Sequence, residues 1–159
     1  MISSLPIEIE GIDKTGKDTL HYYLSAISGH QYNINTRGIL SQLVYNDKFF
    51  RKKLYCLTAL PIIVYLTVDD ADFNIRCHLT NEPYINKHTD EQLFEAYLKE
   101  LESMGAYVFR YNTTDITPYR IAEDVHNKLI NFNPAKQCLT QPKIISNLKI
   151  SKEPSCELE

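Results

Sequence analysis

Apolar and polar positions along the chain recur in two different periods, and together they mark out four strand–helix pairs. Residues 5–10 read L-P-I-E-I-E, a short strand pattern that ends at Gly11. Over residues 17–28 the spacing becomes helical, with Leu20, Tyr23, Leu24 and Ile27 on one face and Gly29 suited to the C-terminal cap. Residues 31–35 suit a short second strand, and Ile39, Leu40, Leu43 and Val44 give a second helical face. The clearest strand is P-I-I-V-Y-L-T-V at 61–68, apolar on both faces and rich in branched residues, the pattern of a buried parallel strand. Asp70 can cap a helix through Arg76, whereas residues 79–88 are polar, contain Pro83 and lack any period, which predicts a loop. Thr89 and Glu91 open a strong helix to Met104, with Leu93, Tyr97, Leu98 and Leu101 on one face and Gly105 closing it. Residues 107–111 form the last strand, and Ile121, Val125, Leu129 and Ile130 mark the last helix.

Such alternation, joined by right-handed crossovers, predicts an α/β fold: a parallel sheet sandwiched by helices in three layers, α/β/α. It places one compact domain over residues 1–133. Residues 134–159 then form a C-terminal extension, in which 144–150 add an edge strand or cover the sheet before a loose tail. Composition agrees, since 159 residues with 43% hydrophobic and 23% charged side chains describe one globular domain with a real core and argue against disorder. A net charge of -3 excludes a generally basic nucleic-acid coat and leaves room for a local basic groove. The longest apolar run, 54–68, is broken by Thr58, Pro61 and Thr67 and is too short to cross a bilayer. Glu8 and Glu10 interrupt the first apolar run, and no basic stretch precedes it, so no signal peptide is read there. Cys56, Cys77, Cys138 and Cys156 form no C-x-x-C pair, as expected of free thiols in a reducing compartment. The expectation is a soluble cytoplasmic protein (in the host cytoplasm, if viral) with no membrane partner. The five histidines form neither a triad nor a metal spacing.

Two of only five glycines stand within six residues of each other. Gly11 to Thr19 reads G-I-D-K-T-G-K-D-T, a G-x-x-x-x-G-K motif between a strand and a helix. Glycines there allow successive N–H groups to converge on phosphate oxygens, the next helix points its positive end at the same anion, and Lys17 adds a full charge. The candidate nucleotide-binding residues are therefore Gly11, Ile12, Asp13, Lys14, Thr15, Gly16, Lys17, Asp18 and Thr19. The plainer alternative is a glycine turn with Lys17 merely exposed. After the lysine such a motif carries Ser or Thr, whose hydroxyl meets magnesium. Here Asp18 stands in that place, with Thr19 next. Two readings follow: Asp18 as a Mg2+ ligand, since magnesium prefers oxygen donors, or a loop of weakened nucleotide affinity.

With these residues the chain resembles the thymidylate kinase branch of the P-loop nucleotide kinases. I-E-G-I-D-K-T-G-K-D-T is similar to that family's strand and loop, and the resemblance makes Asp13 a contact to the sugar of the acceptor nucleotide. T-R-G-I-L-S-Q-L-V-Y at 36–45 resembles the family's D-R-(F/Y/H) segment, so that Arg37 falls on the arginine that meets the transferring phosphate or the acceptor. Thr36 falls where the family has Asp, and Asp18 could restore that lost charge from the other side. I-I-V-Y-L-T-V-D-D-A-D-F-N-I-R at 62–76 resembles the strand and helix before the mobile lid, and it places Arg76 over the base or phosphates of ATP. The lid would be 79–88, with Lys87 its one basic residue, fewer than the family usually carries. The likeness covers about residues 5–132. Only twenty residues separate Lys17 from Arg37, so the family's monophosphate pocket looks cut away.

The resemblance implies an ATP- and Mg2+-dependent kinase in which Lys17, Arg37 and Asp13 carry the transfer. Its acceptor would be a deoxynucleotide or related nucleoside. An alternative is a kinase of 5-hydroxymethyluracil within phage DNA, whose backbone the clustered Lys48, Arg51, Lys52 and Lys53 could hold. Another is a degenerate P-loop module that binds without turnover. Partners on these readings are a nucleotide donor and a deoxynucleotide or modified-DNA acceptor, with a homodimer as an option.

Overall fold

The computed structural model describes residues 6–84 and 86–146. Leu5, Ile85 in the expected lid, the far end of the expected 144–150 strand and Cys156 lie outside the described residues. In chain order the elements are β1 (Pro6–Glu10), α1 (Lys17–Ile27), β2 (Asn33–Asn35), α2 (Ile39–Lys48), β3 (Leu54–Ala59), β4 (Ile62–Thr67), α3 (Asp70–Thr80), α4 (Lys87–Ser103), β5 (Tyr107–Asn112), α5 (Pro118–Ile130) and β6 (Cys138–Ser146). A four-stranded sheet in the order β2-β1-β4-β5 is parallel throughout. Five helices flank it, giving the α/β/α sandwich read from the sequence.

The alternation within β4 shows why both faces are covered. Ile62, Val64 and Leu66 point into a core shared with Leu20 and Leu24 of α1 and with Ile121, Val125 and Leu129 of α5. Ile63 and Tyr65 point the other way, into a core with Leu40, Leu43 and Val44 of α2 and Phe94, Tyr97, Leu98 and Leu101 of α4. A strand with no solvent face carries no polar alternation, as its sequence indicated. Thr117 caps α5, its hydroxyl accepting from the Arg120 N–H at 3.4 Å, and Pro118 occupies the first turn.

Two stretches depart from the sequence expectation. The predicted loop at 79–88 is shorter than expected: α3 runs on to Thr80 and α4 begins at Lys87, so that residues 81–86 connect them. The helix expected from Asp70 through Arg76 is present, and because Phe73 alone is buried in it, no apolar period marks its last turn. It is held by the Arg76–Asp72 pair one turn apart, at 2.5 Å, and ends where Asn81 turns left-handed at φ 52. The apolar run at 54–68 splits at Pro61 into two strands, of which β3 joins β6 in a separate antiparallel pair. Leu54 faces Ser146 and Cys56 faces Ile144 across that pair. Ile145 is buried and belongs to the α2–α4 core, and the Leu60 N–H donates to the Gln137 carbonyl at 2.9 Å. Cys56, Cys77 and Cys138 are free thiols. Among the described residues, no helix is long and apolar enough to cross a membrane.

The strand order reverses beside β1, because the chain leaves β1 toward β2 on one side and returns to β4 on the other. Loops diverge at such a point and leave a crevice beyond the carboxyl ends of the strands.

Candidate functional site

The glycine loop fills that crevice. Gly11 sits at φ +139, and a Cβ there would lie 2.4 Å from the Leu66 carbonyl oxygen of β4, so only glycine can leave the sheet this close to the next strand. Gly16, at φ +90, is the residue from which α1 starts. Thr15 is buried between them, its hydroxyl donating to the Ile12 carbonyl at 2.8 Å. Lys17 bends back over the loop and donates to the carbonyls of Gly11 at 2.9 Å and Ile12 at 2.6 Å. Two of its three N–H donors thus brace the loop. Burial pulls the Lys17 ammonium below the ordinary lysine range, with Asp13 opposing that shift and Arg37 adding to it.

Asp13 Oδ1 lies 3.8 Å from Lys17 Nζ and 3.6 Å from Arg37 Nη2, so three of the residues singled out in the sequence meet in one charged cluster. A cleft of about 580 Å³ opens over them. Asp13, Lys14, Gly16, Lys17, Asp18 and Thr19 supply one wall, Thr36 and Arg37 a second, and Thr80 and Glu82 a third. No side chain among the described residues caps α1, so its first turn presents backbone N–H groups. A helix N-terminus beside Lys17 and Arg37 suits an anion. Lys14 reaches across the cleft to an ion pair with Glu82.

Other candidates lie elsewhere. Ile12 is a core residue and Thr15 is internal to the loop. Arg76 is not in the cleft wall. Its guanidinium donates to the Lys14 carbonyl at 2.9 Å and to the Thr113 hydroxyl and carbonyl at 3.0 and 3.1 Å, tying the glycine loop to the turn after β5. Lys48 leaves the basic cluster, because it pairs with buried Asp90 at 2.8 Å. Arg51, Lys52 and Lys53 are exposed beside Phe49 and Phe50, themselves exposed, with the Arg51 guanidinium 5.6 Å from the Phe49 ring centre.

Asp18 is exposed in the first turn of α1, on the cleft wall. Among the described residues no group of three His, Cys, Asp or Glu side chains could hold a metal by itself. One carboxylate facing an anion-suited cleft does fit magnesium, which commonly takes one or two protein carboxylates and completes its shell with phosphate oxygens and water.

Sequence reasoning overlooked the underside of the site. Glu8 and Glu10 are buried on the α2 side of β1. Glu10 Oε1 accepts from the N–H groups of Gly38 at 2.8 Å and Ser41 at 3.2 Å, and the Ser41 hydroxyl donates to Oε2. Glu8 Oε2 accepts from the Ile39 N–H at 2.9 Å. Burial, reinforced by the neighbouring Glu10, pushes the Glu8 carboxyl up to about 7. Burial also raises Glu10, against the hydrogen bonds from Ser41 and Gly38 and the charge of Lys17. The available signal was the pattern itself: two carboxylates at i and i+2 in a strand flanked by helical layers on both faces cannot both find water.

No family model and no curated protein sequence matches the chain. Among solved structures it is similar to the YorR protein of Bacillus subtilis, crystallised in complex with phosphorylated GDP. The two share 18% identity with a TM-score of 0.56, over 79% of this chain and 95% of that one. The likeness is one of fold.

Proposed function

We propose that the cleft binds a nucleoside triphosphate, and that the chain transfers its terminal phosphoryl group to a deoxynucleotide or related nucleoside acceptor. One observation carries this reading above the others: a strand–glycine loop–helix unit that gathers Lys17, Asp13 and Arg37 around an uncapped helix N-terminus. The fold shared with a protein crystallised with phosphorylated GDP supports the nucleotide part.

Lys17 and the loop amides would hold the donor phosphates. Asp18 would hold magnesium together with phosphate oxygens, and the ion when bound would neutralise charge on the transferring group. Arg37 would meet that group, and Asp13 would orient the acceptor. Arg76 would act from behind the loop, through the Lys14 carbonyl. In the transfer the bond from phosphorus to the leaving diphosphate oxygen breaks as the bond to the acceptor oxygen forms. Positioning and charge neutralisation supply most of what such a reaction needs.

A second reading, an acceptor base held within DNA, draws support from the corner of Phe49, Phe50, Arg51, Lys52 and Lys53. Cations beside exposed rings suit a nucleic-acid strand. One experiment separates the readings: labelled ATP and magnesium with free deoxynucleotides, ordinary DNA, or DNA containing hydroxymethyluracil. Label on a free nucleotide is the expected result. Label on modified DNA alone favours the second reading, and ATP binding without turnover reduces the chain to a binding module.

A further inference from the structure

On β1, Ile7 and Ile9 enter the α1–α5 core, and the two alternate positions should by the same logic be apolar on the α2 side. They are Glu8 and Glu10, with Glu10 0% exposed. Burying carboxylates in a core is unfavourable, and apolar side chains of similar volume commonly serve stability as well or better. Stability alone therefore does not account for the pair.

Their partners suggest what does. All the hydrogen bonds named above run to the first turn of α2: the N–H groups of Gly38, Ile39 and Ser41 and the Ser41 hydroxyl. That helix has no acidic residue in its own first turn, and Gly38 offers no side-chain cap. Its positive end is satisfied from another strand. The approach needs Gly38, since a Cβ there would lie 1.9 Å from the Glu8 Cδ. The residue immediately before this clamp is Arg37, whose own side chain is exposed and meets Asp13 at 3.6 Å. The same β1 runs directly into Gly11. Strand, glycine loop and the peptide bearing Arg37 are thus joined through two carboxylates.

We propose that Glu10, with Glu8 beside it, is the positioning residue for Arg37: it fixes the start of α2 onto β1 and so holds the Arg37 guanidinium over Asp13 and Lys17. The inference rests on the reading of the cleft as a phosphoryl-transfer site wherever it concerns rate, but the clamp itself does not.

Glu10→Gln keeps the volume and removes the charge, and Ser41→Ala removes one bond and tests the same clamp more gently. Amide hydrogen exchange at Gly38 and Ser41 should quicken about tenfold or more in Glu10→Gln, with β4 and α4 protection unchanged. Transfer should slow by roughly tenfold or more, mostly in kcat, while donor affinity moves less than about twofold. Ser41→Ala should shift both in the same direction and less. In an Arg37→Ala background, Glu10→Gln should have no further effect on rate, because its influence passes through that arginine. Equal slowing in both backgrounds, or unchanged exchange at Gly38 and Ser41, overturns the proposal. If Glu10→Gln does not fold, Ser41→Ala decides by the same two readouts. A wild-type protein that transfers phosphate to no acceptor sinks the kinase reading instead, and the exchange measurements then judge the clamp alone.

Discussion

Lys17 does two jobs with one ammonium, since it braces the loop through the Gly11 and Ile12 carbonyls and keeps charge in the cleft. Lys17→Ala should slow transfer by roughly 10²–10³-fold, a loss of about 3–4 kcal/mol of transition-state stabilisation, with the far-ultraviolet spectrum retained. Wild-type turnover in that variant would remove the loop from the mechanism. Gly38 is constrained by space rather than by backbone angle, its φ being -105. Gly38→Ala should destabilise the fold by about 1–3 kcal/mol in urea melts, and Glu8→Ala in the same chain should recover part of that. Glu8 also gives stability a pH dependence. Burial and the neighbouring Glu10, opposed by the Ile39 N–H, push its carboxyl from the ordinary 4.5 up to about 7 in the folded chain. Between those values the folded state holds a proton that the unfolded chain has released. The contribution is therefore present below about 4.5 and lost as pH rises through about 7. Its ceiling is on the order of 3 kcal/mol. Glu8→Gln should lack this slope in denaturation midpoints measured across that range, and an identical slope would refute the assignment. The loop was legible because Gly11, Gly16 and Lys17 are neighbours in sequence. Glu8 and Glu10 were not, because their partners lie about thirty residues on and leave no local period.

Among the elements, the connection between α3 and α4 reaches the cleft most directly. Glu82 from it meets Lys14 of the glycine loop. An exposed ion pair of this kind contributes about 0–1 kcal/mol to stability, so Glu82→Ala should leave the melting temperature almost unchanged. Donor affinity should rise a few-fold, because a carboxylate competing with phosphate for Lys14 has gone. Titration calorimetry checks this, and weaker binding would mean that Glu82 assists the donor. Periodicity revealed α4, where Leu93, Tyr97, Leu98 and Leu101 are buried, and an unbroken apolar run revealed β4, where Ile62 to Leu66 are buried on both faces. Periodicity concealed the last turn of α3, whose single buried residue is Phe73, and β3, whose inward residues Tyr55 and Leu57 are only half covered.

At the scale of the molecule, one sheet separates two apolar cores, and β6 closes the second of them by placing Ile145 against it. Ile145→Ala should lower stability by about 2–5 kcal/mol in urea denaturation, as for other buried large-to-small changes. A change under about 0.5 kcal/mol would mark the β3–β6 pair as peripheral. The pairing also has a consequence during synthesis. A nascent chain presents β3 to its surroundings or to chaperones well before Cys138–Ser146 has been made. Until then β3 lacks its hydrogen-bonding partner, and the Leu60 N–H still waits for Gln137. The parallel strands can assemble earlier, but the second core closes only when the last described strand has left the ribosome. An arrested chain that stops short of β6 should therefore be held by chaperones and attacked by proteases far more readily than one carrying it.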